Sequence, residues 1–330
     1  MQTFKFDHLL LINNYGILKK YESDKFIDLT DTEYNKYKFL GLVYPYMCIF
    51  TSNIDLDTSA LLMISFDTKM RLQYKYNDAH INQSTSNKIN RIKIIVDKLD
   101  KLIKFLDKNL TRAINKNIID DDIVMCSIIK ISLLTGMRIG KDEHFKKYNT
   151  VGLSTIQKKH ITHVSDIKII FNFIGKKKVQ YEYDVEDKAI VFVINKLYNK
   201  LKNDDEFLFK YSNNKKINYT DVNNYIKEIL NTDNISNKDL RTTLANVVFI
   251  EQFIKNIPPG TTRLSDKDLN KIIKNIVKLT ASVLQNTAAV SKKSYIFSII
   301  NEYIQNLNNK SKLDTIKDIL PLDLLRKIIK

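Results

Sequence analysis

One tyrosine, two arginines and a lysine are the residues of this chain whose types suggest a shared chemistry. They lie in four short segments: Arg138 in Thr-Gly-Met-Arg-Ile-Gly-Lys, Lys176 in Phe-Ile-Gly-Lys-Lys-Lys-Val, Arg241 in Lys-Asp-Leu-Arg-Thr, and Tyr295 in Ser-Lys-Lys-Ser-Tyr. A phenol surrounded by two guanidinium groups and an ammonium group is suited to in-line attack on a phosphodiester. The tyrosine would form a phosphotyrosyl ester, which conserves the energy of the broken bond.

Each of these residue types has a physical reason to take part in such a reaction. The transition state gathers negative charge on the non-bridging phosphate oxygens, and each fixed donor aimed at that charge contributes on the order of 10²–10³ in rate. Arginine stays charged and donates to two oxygens at once, and a lysine with a lowered pKa can protonate the departing 5′ oxygen. The sequence has no acidic metal cluster and no Gly-x-x-x-x-Gly-Lys loop, so we expect no metal and no cofactor.

The composition favours a polyanionic partner but does not decide the matter alone. The formal net charge is +16, yet a chain rich in Lys, Asn and Ile also follows from an A+T-rich genome. No apolar run approaches ~18 residues, so no membrane span is expected. Cys48 and Cys126 lie in apolar surroundings and are interpreted as buried free thiols in a reducing compartment, which predicts a cytosolic protein.

The hydrophobic pattern predicts an α+β protein of two domains. Short apolar runs at Phe39–Phe50 and Leu61–Phe66, and the alternating segment Gln73–Tyr76, predict a small antiparallel β domain over residues 1–81. The polar stretch from His80 to Asn90 is interpreted as a linker. Residues 82–330 are predicted to form a larger, mostly helical domain.

Several elements of the helical domain can be predicted individually. Apolar residues spaced three and four apart indicate a helix over Ile92–Leu106, and the nearly continuous apolar run Ile123–Leu134 indicates a buried helix. A further long helix is expected from about Asp266. Ile167–Phe173 and Val179–Val185 predict a β-hairpin insert with Lys176 at its exposed tip. Tyr295 is expected in the first turn of an apolar helix.

The order and wording of these segments resemble the type IB DNA topoisomerases of the small poxvirus kind. The family's Arg-x-Gly-Lys segment is matched by Arg138–Lys141, and its Asn-x-x-Gly-Leu-x-Thr-(Leu/Ile)-x-x-x-His-Ile segment by the stretch from Asn149 to Ile161. The hairpin lysine falls on Lys176, the arginine of Lys-Asp-Leu-Arg-Thr on Arg241, and the nucleophile of Ser-Lys-x-x-Tyr on Tyr295.

The resemblance implies a function and a role for each matched residue. Tyr295 would be the nucleophile, Arg138 and Arg241 the donors to the phosphate oxygens, and Lys176 the general acid. Lys177 or Lys178 could substitute for Lys176. The enzyme would relax supercoiled duplex DNA through a 3′-phosphotyrosyl intermediate, without ATP or metal.

Nine residues before the nucleophile, the chain departs from the family. The family usually has histidine there and this chain has Asn286, whose amide can donate a hydrogen bond but cannot carry charge. Asn286 could alternatively be only a helix C-cap. We expect activity to be retained with a weaker contribution at this position.

Further residues are candidates for DNA contact. Gln73, Tyr74 and Tyr76 match a segment that faces the major groove in relatives, although they could also simply decorate a strand. The other candidates lie beside the two arginines: Lys141, His144 and Lys238. His144 replaces a tyrosine that is usual in the family.

Two other functions compete with this interpretation. A tyrosine recombinase shares the nucleophile and arginines, but it typically has His-x-x-Arg at the second arginine, where this chain has Lys238 three residues before Arg241. A non-catalytic basic DNA-binding protein would explain the charge but not the ordered set. Arg241 could also be an ordinary arginine paired with Asp239.

The resemblance also predicts how the protein would act. The partner would be double-stranded DNA, and the chain is expected to work as a monomer whose two domains form a clamp. Its location would be cytoplasmic, or in the virion if the protein is viral.

Overall fold

The computed structural model describes residues 9–14, 17–22, 25–37, 48–51, 60–66, 71–175 and 179–330 and divides the chain into two compact units. The N-terminal unit is Met1–Lys88 and the C-terminal unit is Ile89–Lys330. The structural division therefore follows residue 88, whereas the boundary predicted from the sequence follows residue 81. The role of the N-terminal unit in clamping DNA stays a prediction.

An antiparallel sheet organises the described part of the N-terminal unit. Its strand order is β3-β2-β1-β4-β5-β6. The strands are β1 (Leu9–Asn14), β2 (Ile17–Glu22), β3 (Lys25–Asp28), β4 (Cys48–Thr51), β5 (Leu61–Phe66) and β6 (Leu72–Tyr76), with helix α1 (Asp31–Tyr37) after β3. The strands predicted at Leu61–Phe66 and Gln73–Tyr76 are confirmed; most of Phe39–Phe50 lies outside the described residues.

The predicted linker between His80 and Asn90 is wrong, because helix α2 (Asp78–Lys116) runs through it. The helix starts where the Asn77 side chain accepts a hydrogen bond from the backbone N–H of His80 at 2.7 Å. The polar stretch contains neither proline nor glycine, so nothing in it prevents helix continuation. Its polar composition reflects exposure to solvent rather than a break in the helix.

The C-terminal unit is mostly helical and carries one small sheet. Its remaining helices are α3 (Asp121–Thr135), α4 (Asp142–Tyr148), α5 (Lys188–Tyr198), α6 (Tyr219–Leu230), α7 (Asn237–Asn256), α8 (Asp266–Val283), α9 (Ala288–Ser294), α10 (Ser298–Asn309) and α11 (Pro321–Ile328). The sheet has the order β7-β8-β9, with β7 (Ile161–Val164), β8 (Ile169–Ile174) and β9 (Gln180–Val185). These elements confirm the predicted α+β class.

Helix α3 lies at the centre of this unit and ends beside the site described below. Most of its side chains are buried, which confirms the buried helix predicted from its continuous apolar run. Asp120 caps its first turn by accepting the backbone N–H of Ile123 at 3.0 Å. Gly136, with φ +68°, ends the helix and directs the chain into the segment that carries Arg138.

The predicted hairpin forms the second and third strands of the small sheet. Strand β8 pairs with β9 in antiparallel register, from Ile169 opposite Val185 to Ile174 opposite Gln180. Strand β7, which was not predicted, adds to the other edge of β8. Lys176 lies outside the described residues, so its predicted place at the hairpin tip stays a prediction.

The structure also describes the side chain of one of the two cysteines and the helices of the described ranges. Cys126 is free and buried, and burial raises the pKa of its thiol to about 12; the Cys48 side chain lies outside the described part. Among the helices of the described ranges, none combines the length and apolarity needed to cross a membrane. Within those same ranges, no three His, Cys, Asp or Glu side chains are grouped to hold a metal ion.

Candidate active site

Helix α7 carries Arg241 into the interior of the C-terminal unit. Arg241 is only 2% exposed, so its charge is held away from bulk water. Asp239, proposed above as a possible partner, instead binds Arg91 at 3.2 Å and accepts hydrogen bonds from the Ser236 backbone and hydroxyl. The salt-bridge interpretation of Arg241 with Asp239 is therefore wrong, because capping of the helix uses that carboxylate.

Tyr295 lies in the link between α9 and α10, so its predicted place in the first turn of a helix is wrong. The backbone N–H groups of Tyr295 and Ile296 both donate to the Ser291 carbonyl at 3.0 Å, which closes α9. The buried amide of Asn246 then donates to the Tyr295 carbonyl at 2.9 Å and accepts the Phe297 N–H at 3.0 Å. These side-chain bonds replace helical ones and hold the tyrosine in an irregular segment.

Asn246 is a site-positioning residue that the sequence reasoning missed. It lies on α7 five residues after Arg241 and is completely buried. A buried asparagine within an otherwise apolar stretch of helix was the available signal, because such an amide must find partners. Its partners could not be known from the sequence, since they belong to a segment about fifty residues away.

The guanidinium group of Arg241 lies against the ring of Tyr295. The distance from the Arg241 Cζ atom to the ring centroid is 5.3 Å, within the range of a cation–π contact. Tyr295 is 6% exposed and packs in a small apolar cluster with Ala245 and Leu284. The tyrosine is thus held from one side by α7 and from the other by the residue that follows α8.

Arg138 is placed by a close contact between two backbone segments. The Leu153 N–H donates to the Arg138 carbonyl at 2.9 Å. Gly140 adopts φ +90° and its backbone lies against that of Gly152. A Cβ atom added to Gly152 would lie 2.6 Å from the Gly140 nitrogen. Side chains at these two glycines would push the segments apart, so the Arg-x-Gly spacing has a steric reason.

The turn after α8 ties the two arginines together. The Leu284 carbonyl accepts a hydrogen bond from Arg241 Nη2 at 2.6 Å, and Asn286 Oδ1 accepts one from Arg138 Nη2 at 2.7 Å. Helix α8 has its C-cap at Leu284, so Asn286 lies beyond the cap and the C-cap interpretation is wrong. The Asn286 Nδ2 atom is buried without a hydrogen-bond partner among the described residues, which leaves a donor unused beside Arg138.

The two arginines of the site lack acidic partners in the part of the chain that the structure describes. Arg241 Nε and Nη1 are buried without any hydrogen-bond partner there. By contrast, Arg91, Arg112 and Arg326 each pair with an aspartate. An uncompensated buried charge is costly, and a bound anion would remove that cost.

These charges change the acidity of the tyrosine. Burial alone would raise the pKa of Tyr295, but the positive charges of Arg241 and Arg138 outweigh it, and the pKa lies below its usual value. The pKa of Arg241 is lowered by burial, which disfavours its charged form, and by the nearby charge of Arg138. The site therefore favours negative charge, whether on the phenol oxygen or on a bound phosphate.

The remaining predicted residues fall in several places. Lys141 and His144 are exposed and line the same cleft as Arg138, and Lys238 is exposed in the first turn of α7. Gln73, Tyr74 and Tyr76 lie on β6 of the N-terminal unit. Tyr74 and Tyr76 are 51% and 38% exposed. His160 accepts a hydrogen bond from the backbone N–H of Gln157 at 3.0 Å.

Comparison with known proteins gives a consistent result. A family model described as eukaryotic DNA topoisomerase I, catalytic core, matches residues 73–318. DNA topoisomerase 1B of Acanthamoeba polyphaga mimivirus is 30% identical over 280 residues, 82% of this chain and 80% of the relative. DNA topoisomerase I of Monkeypox virus and DNA topoisomerase 1B of Vaccinia virus (strain Copenhagen) are each 31% identical over 255 residues, 75% of this chain and 74% of the relative. The chain therefore belongs to the type IB DNA topoisomerase family.

Proposed function

We propose that this protein relaxes supercoiled duplex DNA by transient cleavage of one strand at Tyr295. The observation that carries the proposal is the arrangement of Tyr295, Arg138 and Arg241. A buried phenol of lowered pKa lies beside two guanidinium groups that have no acidic partner in the described ranges. This arrangement suits a nucleophile and the oxygens of the phosphodiester that it attacks.

In the proposed reaction, Tyr295 Oη attacks the phosphorus atom and releases its proton to solvent. The bond between phosphorus and the 5′ oxygen breaks, and its electron pair leaves with that oxygen. Arg138 and Arg241 donate to the non-bridging oxygens as their charge grows, and Lys176 gives a proton to the departing 5′ oxygen. The products are a 3′-phosphotyrosyl ester and a free 5′-hydroxyl end.

Religation is the reverse of cleavage. The 5′-hydroxyl attacks the phosphotyrosyl ester, the phenol leaves, and the strand is whole again. Between the two steps, supercoil torque rotates the free end. Because the ester conserves the energy of the phosphodiester, the cycle needs no ATP.

The function is tested by relaxation of supercoiled plasmid in a chelator and without ATP. Wild type is expected to convert the plasmid to relaxed topoisomers under these conditions. A wild-type protein that leaves the plasmid supercoiled would refute the proposal and favour a non-catalytic DNA-binding protein. Strand exchange that requires two paired sites would instead indicate a tyrosine recombinase.

Duplex DNA is the proposed partner, and a monomer acting as a clamp is the proposed form of the enzyme. Lys141, His144 and Lys238 are proposed to contact DNA near the cleaved phosphate, and Gln73 and Tyr74 are proposed to contact it from the N-terminal unit together with Tyr76. Lysine contacts to phosphates release counterions, so affinity should fall steeply as salt rises. A location in the cytoplasm or virion is proposed from the viral origin of the relatives.

Replacing Lys176 by alanine tests the proposed general acid. Cleavage of an ordinary duplex should fall by roughly 10²–10⁴-fold, the usual contribution of general acid catalysis. A substrate with sulfur at the 5′ bridging position should restore the rate, because a thiolate leaves without protonation. Lys177→Ala and Lys178→Ala test the two neighbouring lysines in the same way. The general acid is the lysine whose alanine variant cleaves the ordinary duplex slowly and the sulfur substrate at the wild-type rate.

Replacing Asn286 by histidine tests the position that departs from the family. One imidazole nitrogen can accept from Arg138 while the other donates towards the site, so both functions of the amide are preserved. We expect the single-turnover cleavage rate to be held or raised. A large loss of rate in a variant that still folds would show that the role given to Asn286 is wrong.

A further inference from the structure

Tyr183 lies beside the proposed active site but has no part in the mechanism above. Strand β9 alternates between exposed and buried positions, and Tyr183 is on the buried side at 6% exposure. Its side chain lines the cleft that Arg138 and Gly140 also line. A tyrosine on an inward-facing strand position is ordinarily part of the core, so its hydroxyl needs an explanation.

The ring of Tyr183 is held in place by neighbouring rings. It stacks on Phe173 and on Tyr181, each with a centroid separation of 6.1 Å. The strand is tied to the active-site turn as well, because the Gln285 side chain donates a hydrogen bond to the Glu182 carbonyl. The residue before Tyr183 is therefore joined to the residue before Asn286, and the hydroxyl has a fixed position relative to that turn.

The chemistry of this hydroxyl differs from that of Tyr295. Burial raises the pKa of Tyr183 to about 12, although the charges of Arg241 and Arg138 act in the opposite direction. Tyr183 thus stays protonated where Tyr295 is made more acidic. No side chain or backbone group in the described ranges accepts a hydrogen bond from it, so this neutral donor is available to a ligand.

We propose that the Tyr183 hydroxyl donates a hydrogen bond to a non-bridging oxygen of the DNA phosphate that Tyr295 attacks. This proposal rests on the proposed function, because it places Tyr183 beside the same phosphate as Arg138. The ligand is a phosphodiester, whose oxygens accept from a phenol without any change in charge. Tyr183 would be a further donor to the growing negative charge, alongside the two arginines and the Asn286 amide.

The test is Tyr183→Phe, which removes the hydroxyl and keeps the stacked ring. Single-turnover cleavage of a duplex is expected to fall roughly 10- to 100-fold, the contribution of one hydrogen bond to a charged group. Tyr198→Phe, at a partly buried tyrosine on α5, is the matched control and should cleave like wild type. The DNA affinity of both variants is measured in proteins that also carry Tyr295→Phe, so that no strand is cleaved. The salt dependence of this affinity should equal that of Tyr295→Phe alone, because the hydroxyl removed from Tyr183 is neutral.

A substrate change identifies the phosphate concerned. A methylphosphonate carries a methyl group in place of one of the two non-bridging oxygens, which gives two isomers. With the isomer that lacks the oxygen contacted by Tyr183, Tyr183→Phe should cleave at the same rate as wild type. With the other isomer it should cleave more slowly than wild type. A cleavage rate equal to wild type, or an equal loss with both isomers, would overturn the proposal while leaving the proposed function intact. If wild type itself forms no covalent adduct, the proposed function and this inference are both overturned.

Discussion

Tyr295→Phe is expected to bind duplex DNA like wild type and to form no covalent adduct with it. The phenol oxygen is the only atom removed, and the ring can still pack with Ala245 and Leu284 against Arg241. Loss of a nucleophile leaves no second route to the phosphotyrosyl ester, so plasmid relaxation should fall below detection. Denaturing gel electrophoresis of protein mixed with end-labelled duplex measures the adduct directly.

Tyr303→Phe is a suitable control for this experiment. Tyr303 lies on α10, is partly buried, and packs against the main core of the unit rather than against the arginine pair. This variant should form adduct at the wild-type rate. Adduct formation by Tyr295→Phe would show that another group is the nucleophile.

The second large effect is expected for Arg241→Met. Methionine fills a similar volume but donates no hydrogen bond, so stabilisation of the phosphate oxygens is lost from that side of the site. Single-turnover cleavage should fall by on the order of 10²–10³, as for removal of one fixed donor to a developing charge. Arg326→Met removes an arginine on α11 that pairs with Asp100 on α2 and with Asp323, and it should leave the cleavage rate unchanged.

The same substitution should not destabilise the protein. It removes the hydrogen bond from the charged Arg241 side chain to the Leu284 carbonyl, a loss of roughly 1.5–3 kcal/mol. It also removes two buried nitrogen atoms, Nε and Nη1, that have no hydrogen-bond partner in the described ranges, and leaving each such group unsatisfied costs roughly 1–3 kcal/mol. The melting temperature should equal or exceed that of wild type. A drop of more than about 10 °C would show that Arg241 serves the fold rather than the phosphate.

Much of the fold could be predicted because its patterns are local. The strands β8 and β9 follow from alternation, and α3 follows from a continuous apolar run bounded by Asp120 and Gly136. The start of α2 could not be predicted in the same way. Its first turns are polar, and exposed helical residues resemble a linker when only their composition is considered.

For the candidate site too, local sequence identified the residues but not their arrangement. Arg138, Arg241 and Tyr295 could be singled out because the segments that carry them resemble those of a known family in wording and order. Their arrangement depends on contacts between distant segments, as when Asn246 binds the backbone of Tyr295 from 49 residues away. The irregular link that carries the nucleophile therefore could not be deduced from the apolar spacing around it.

The turn after α8 shows why the lack of acidic partners among the described residues matters. Leu284, Gln285 and Asn286 are consecutive, and they bind Arg241, the backbone of β9 and Arg138 in that order. The turn holds both guanidinium groups with neutral acceptors and leaves their charge uncompensated. Two arginines that lie close together and have no acidic partner in the described ranges are suited to an anionic ligand.

The central claim is that Tyr295 becomes covalently joined to the 3′ end of a cleaved DNA strand. It is tested by trapping the adduct on a duplex from which the short downstream fragment with the free 5′-hydroxyl dissociates, followed by proteolysis and mass spectrometry of the nucleotide-bearing peptide. We predict a single modified peptide, from the segment that follows α9, with a 3′-phosphodiester bond on Tyr295. Modification of any other residue, or a cleaved strand without attached protein, would contradict the account.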